Sequence, residues 1–200
     1  MLKKILIGIS IVVGIGLLIS VGYIVMIISA FGGFDKDYSV TELKENFEAK
    51  KTEIYEVKNF VNKITPSEKL AHIEFEDNNT LGIFHVKVDD KFESNWDVKI
   101  NSGKADTLLQ KLGWTVDDLK ILKDKLDKAN SIGVTSGDPC NISFQRSGMG
   151  MYSFNVFDQP IPDNLIEQYN DSCTYILVNK KLVLEYGGGA IGSQCFYNLE

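Results

Sequence analysis

Charge is missing where it is usually plentiful: from Ile5 to Phe34 there is no Asp, Glu, Lys or Arg. The run exceeds the about 20 helical residues that cross a hydrocarbon core of roughly 30 Å. It also exceeds the apolar segment of a signal peptide, commonly about 7 to 15 residues. Ala30-Phe31-Gly32 does offer the small residues of a cleavage site, yet the length argues for an uncleaved single-pass anchor. Cysteine is scarce, with three in the chain and none before Cys140. Arginine occurs once, at Arg146, and histidine twice, at His72 and His85. G-x-S-x-G and H-E-x-x-H are absent, which removes the commonest local signatures of serine and zinc hydrolases. There is no internal repeat and no low-complexity region.

Lys3 and Lys4 precede the apolar run, and the positive-inside rule keeps such residues in the cytoplasm. The expected organisation is a basic stub over 1–4, a transmembrane helix over 5–31, a linker over 32–38 and an extracytoplasmic domain over 39–200. Two small-xxx-small pairs, Ser10 with Gly14 and Gly16 with Ser20, would allow close approach of a second membrane helix. With Lys3 and Lys4 set aside, 19 of the 21 basic residues remain against all 27 acidic ones. That balance excludes a nucleic-acid footprint and adhesion to anionic headgroups.

The domain reads as α+β with a mainly antiparallel sheet and two or three packed helices, because helical and strand patterns come in blocks. Ser39 with Glu42 forms a capping box. After it, Leu43, Phe47, Ile54, Val57 and Val61 fall on one face of a long helix expected from about Val40 to Asn62. "LAHIEFEDNNTLGIFHVKV" alternates with period two around Asn78-Asn79, a hairpin that sets His72 opposite His85 and Ile73 opposite Phe84. "NWDVKI" continues the meander. "KADTLLQKLGW" is a short helix broken at Gly113, and Thr115 with Asp118 caps another that buries Leu119, Leu122 and Leu126. "SIGVTS", "NISFQR" and "MYSFNVF" are strands, and "CTYILVNKKLVLEY" closes the sheet as a hairpin.

Four constellations carry chemistry. Gly187, Gly189 and Gly192 spell G-x-G-x-x-G, but too little chain follows for the helix that a dinucleotide loop requires, so no nucleotide is expected. Arg146 beside Gly148 and Gly150 is the leading ligand-binding candidate, a guanidinium able to hold a carboxylate or phosphate bidentately. Trp96 and Trp114 are further candidates for a binding surface. No metal or cofactor is expected. The alternative is His72, His85 and Glu74 on one strand face, two imidazoles and a carboxylate. Cys173 and Cys195 are the expected disulfide, leaving Cys140 over.

The chain is therefore expected to be a membrane-anchored protein presenting an acidic binding or interaction domain. Its partners would be the bilayer, through residues 5–31, and a protein of the cell envelope. The alternative is an envelope hydrolase using His72, His85 or a cysteine.

Overall fold

A computed structural model describes residues 2–30, 32–187 and 192–196, with the side chains of the first helix described over 14–29. That helix, α1, spans Leu2–Ala30. Among the described residues no helix is long and apolar enough to cross a membrane, the side chains described in α1 covering only residues 14–29. All of those side chains are exposed, Leu17, Leu18 and Ile19 at 63%, 74% and 68%.

The rest is α+β. Four helices follow α1: α2 (Val40–Ala49), α3 (Lys51–Ile64), α4 (Gly103–Leu112) and α5 (Val116–Lys128). The single helix expected from Val40 is thus two. Lys50 leaves helical geometry at φ −115° and ψ 16°, and its N–H is shared between the carbonyls of Asn46 and Phe47. Neither proline nor glycine marks the break. The apolar stripe survives it, since Leu43, Phe47, Ile54, Val57 and Val61 are all at most 2% exposed. Both expected capping boxes form, Ser39 with Glu42 and Thr115 with Asp118, each satisfying amides that a helix start leaves orphaned.

Among the described residues nine strands make one antiparallel sheet. They are β1 (Leu70–Phe75), β2 (Thr80–Val88), β3 (Lys91–Glu93), β4 (Trp96–Lys99), β5 (Gly133–Thr135), β6 (Cys140–Ser147), β7 (Gly150–Val156), β8 (Tyr175–Asn179) and β9 (Leu182–Gly187). The spatial order is β3-β2-β1-β5-β6-β7-β9-β8, with β4 also pairing β2. The short β3 escapes the sequence pattern; it pairs the far end of β2 while β4 pairs the near end.

Period-two alternation divides the sheet into two faces. Ile73, Phe84, Val134, Ile142, Phe154 and Leu184 point one way, fully buried, onto the layer of α2 to α5. Lys58 of α3, 2% exposed, pairs with Asp158 just beyond β7 and pins that helix to the sheet. The opposite face carries the residues between, and among the described residues only one end of it is covered. There Phe157, Ile161 and Val183 form a small second core with Tyr169 and Tyr175, beneath two 3₁₀ turns at Asp163–Leu165 and Glu167–Tyr169.

A disulfide joins Cys173 to Cys195, 22 residues apart, so the tail is held against the start of β8, where Phe196 N–H also donates to the Cys173 carbonyl. Cys140 is free and buried. Closing a loop of that size constrains the unfolded chain by about 3 kcal/mol. Cys173→Ser is expected to lower unfolding stability by that order in urea titrations, whereas reducing agent should leave the Cys173→Ser variant's midpoint where it is.

Candidate functional site

The uncovered face is not flat. Following the pairing register across the strands gives one continuous row, beginning Trp96, Ile83, Glu74 and Gly133. It continues through Ser143, Ser153, Glu185 and Tyr175. Directly paired residues share a face. The row is therefore tall at both ends and low in the middle, where glycine and two serines stand side by side. Ser143 and Ser153 are only 3% and 4% exposed because the taller flanks shade them. His72, Thr135 and Asn141 form one flank, themselves in register, and Arg146 with Met151 forms the other. The result is a trough crossing the strands.

Two adjoining basins make up this depression, one of about 990 Å³ towards Trp96 and one of about 280 Å³ towards Glu185. They meet at His72, Glu74, Ile83 and Arg146. At that junction Arg146 Nε donates to Glu74 Oε1 at 2.5 Å and Nη2 donates to Oε2 at 2.6 Å. This bidentate pair spans β5, and Gly133 is the β5 residue beneath it. A Cβ on Gly133 would come within 2.6 Å of the Ile73 carbonyl oxygen, so no side chain can rise there between the partners. Glu74 is 7% exposed, a burial that a carboxylate tolerates only when paired and hydrogen-bonded.

At the other end Glu185 Oε2 accepts from Asn141 Nδ2 at 3.1 Å and Asn155 Nδ2 at 2.7 Å. Tyr175 OH donates to Glu185 Oε1 at 3.4 Å. Burial, reinforced by the neighbouring Glu185, pushes the Tyr175 phenol up to about 12, so it stays a donor at neutral pH. Asn141 Nδ2 also donates to Asn155 Oδ1, which locks both amides.

The four sequence candidates on β1, β2 and β6 come together here. His72, Glu74, His85 and Arg146 all line the larger basin, with Trp96. His72 and His85 stack edge to face at 5.3 Å, and His85 meets Trp96 at 5.1 Å and Phe92 at 5.5 Å in the same manner. Among the described residues no group of His, Cys, Asp or Glu is arranged to hold a metal ion, and Glu74 is turned to Arg146 instead. Burial holds His72 down at about 4, helped by the nearby His85 and Arg146 charges, and burial lowers His85 too. Both are neutral at pH 7. His85 Nε2 is buried and has no hydrogen-bond partner among the described residues.

Gly148 and Gly150 line neither basin. Gly148, at φ 57°, turns the β6–β7 hairpin, and a Cβ on Gly150 would lie 2.6 Å from the Tyr186 ring on the core side. Trp114 is buried in the core. Gly189 lies outside the described residues; residues 192–196 are not helical, so they provide none of the helix a dinucleotide loop needs. Cys140 is buried with its thiol pushed up to about 12 by desolvation, and Cys173 and Cys195 are bridged, which leaves no thiolate for a cysteine nucleophile.

The linker contributes unexpectedly. Asp35 Oδ2 accepts from the Gly148 N–H at 2.9 Å, and Ser147 Oγ donates to Asp37 Oδ1 at 2.8 Å. Tyr38 seats its ring edge-on against Phe144 and Tyr152. Asp35 and Lys36 thereby become part of the wall of the larger basin.

Compared with known proteins, the chain matches no family model, no curated protein and no solved structure.

Two outcomes follow. Arg146→Met strands the Glu74 carboxylate and is expected to cost about 2 kcal/mol, discounted because Arg146 is itself one-third exposed. Adding Glu74→Leu should recover part of that loss, read as a double-mutant cycle in urea. The histidines give the pH dependence. Their folded pKa values lie below the unfolded value of about 6.5, so the unfolded chain binds more protons as pH falls. Stability should be full above about pH 6.5 and decline towards pH 4, and His72→Asn should flatten that decline.

Proposed function

We propose that the protein is a single-pass membrane-anchored binding module, its α+β domain extracytoplasmic and its trough the ligand site. Convergence carries the reading: residues from β1, β2, β4 and β6, with Asp35 and Lys36 of the linker, line one basin of about 990 Å³. A concave site with a few convergent polar groups is the usual form of a ligand pocket. The neutral histidines, the paired acid and base and the burial of the Cys140 thiol favour binding over covalent catalysis.

The anchor is supported by the uncharged run from Ile5 to Phe34 and by the helix Leu2–Ala30. The side chains described in that helix are all exposed, and so much exposed apolar surface is what a lipid surround would cover. Lys3 and Lys4 put the N-terminus on the cytoplasmic side under this reading.

Carbonate washing should leave the protein in membranes, and protease added outside intact cells should digest the domain. Full-length protein in detergent should retain a component of a fractionated envelope extract, and Ser153→Val, which raises the trough floor, should abolish retention. Carbonate release refutes the anchor; retention unaltered by Ser153→Val refutes the site.

A further inference from the structure

The charges inside the trough are already matched. Glu74 is closed by the Arg146 fork, and Glu185 is closed by two amides and a phenol. An anionic ligand would have to displace Glu74 from Arg146, and a cationic one would have to compete with the donors already on Glu185. Of the rim charges, Lys36 pairs with Glu42 at 2.6 Å and Asp35 holds the Gly148 amide, while Glu76 stands exposed to water. The occupant that meets these terms is polar, hydrogen-bonding and uncharged.

Shape adds two constraints. Adjacent strands are about 4.8 Å apart, so the path from Trp96 across Ile83, Glu74, Gly133 and Ser143 to Ser153 runs roughly 24 Å, room for about five pyranose rings in line. At its open end Trp96 is 58% exposed, a large apolar ring left in water beside a polar groove. An indole face with its edge free is suited to a ligand that is apolar on one side and hydroxylated around its rim, which describes a pyranose.

Resting on the binding-module reading, we infer that the trough holds a linear, uncharged glycan strand. One sugar stacks on Trp96, the next cross over Ile83 and the Arg146–Glu74 pair, and the last lie over Ser143 and Ser153. Hydroxyls of the serines, amides of Asn141 and Asn155 and neutral His72 supply mixed donors and acceptors along the strand. This is the pattern that sugar hydroxyls require, since each is donor and acceptor at once.

The test uses the full chain in lipid nanodiscs, titrated calorimetrically with uncharged linear oligosaccharides of glucose and of N-acetylglucosamine, from disaccharide to hexasaccharide. Affinity should rise with length to about the pentasaccharide and then level, matching a path of roughly 24 Å. Trp96→Ala should weaken binding at least about tenfold, as loss of an aromatic anchor does. Trp96 is exposed, so that variant keeps its fold. Ser153→Val should abolish binding, with circular dichroism confirming that it is folded. Two further arms use an oligolysine peptide and phosphorylated oligosaccharides. Binding of either charged probe, lost in Ser153→Val while neutral glycans do not bind, overturns the glycan assignment but keeps the trough as a ligand site. Glycan binding unchanged in Trp96→Ala and Ser153→Val overturns the placement. Absence of binding in every arm removes both this inference and the reading beneath it.

Discussion

The organisation of the open face depends on one bridge, Arg146 to Glu74, and on the missing side chain beneath it. One strand separates these residues in sheet order, β5 lying between β1 and β6. Only a long side chain reaches across, and only over a glycine does it lie low enough to engage both carboxylate oxygens. The bridge then acts in two ways. It neutralises an acid that is 7% exposed, and it divides the depression into two basins that share a common wall. Replacing Gly133 would act on the same geometry from below, since the clash falls on the Ile73 carbonyl, a backbone atom that cannot swing aside.

The linker ties α1 to the wall of the site. A polar joint of this composition would ordinarily be a flexible tether. Here Asp35 and Asp37 bond to the tip of the β6–β7 hairpin, the hairpin that also carries Arg146, and half-buried Tyr38 packs against aromatic residues of β6 and β7. The path from α1 to the trough wall is therefore a few bonded residues. For an anchored protein that places the larger basin at the membrane-proximal side of the domain.

What was legible in the sequence was local. The capping boxes, the stripe of α5 and the β1–β2 register each depend on residues within one or two turns or one hairpin, and His72 opposite His85 followed from counting outward from Asn78-Asn79. The site was legible only in pieces. Arg146, His72, Glu74 and Trp96 were visible as residue types, while their meeting depends on β5 inserting between β1 and β6, a pairing that no local pattern encodes. Gly148 and Gly150 looked like ligand contacts because they neighbour Arg146 in sequence, yet the hairpin turns one into its tip and the other into the core. Glu185, Ser143 and Ser153 went unremarked, although Asn141 and Ser143, like Ser153 and Asn155, alternate with buried apolar residues and mark a polar sheet face. The break at Lys50 has no sequence signal.

The composition of that face argues against its being simply the wet side of a sheet. Antiparallel sheets often face water on one side, and the usual solution is a surface of Thr, Lys and other residues that favour strands. At the centre of this sheet the outward row instead holds Gly133, Ser143 and Ser153, and its flank holds Asn141 and Asn155. Glycine and asparagine are depleted in strands, and glycine adds nothing to cross-strand packing. Nor do these positions gain solvation in return, because Ser143, Ser153 and Asn155 are at most 5% exposed. Three adjacent central strands thus give up local strand preference at the same register without recovering it as packing or as contact with water. Departures from local rules that line up in space, rather than scattering, are the mark of a site. The alignment here is across the strands, the direction in which an extended ligand would lie.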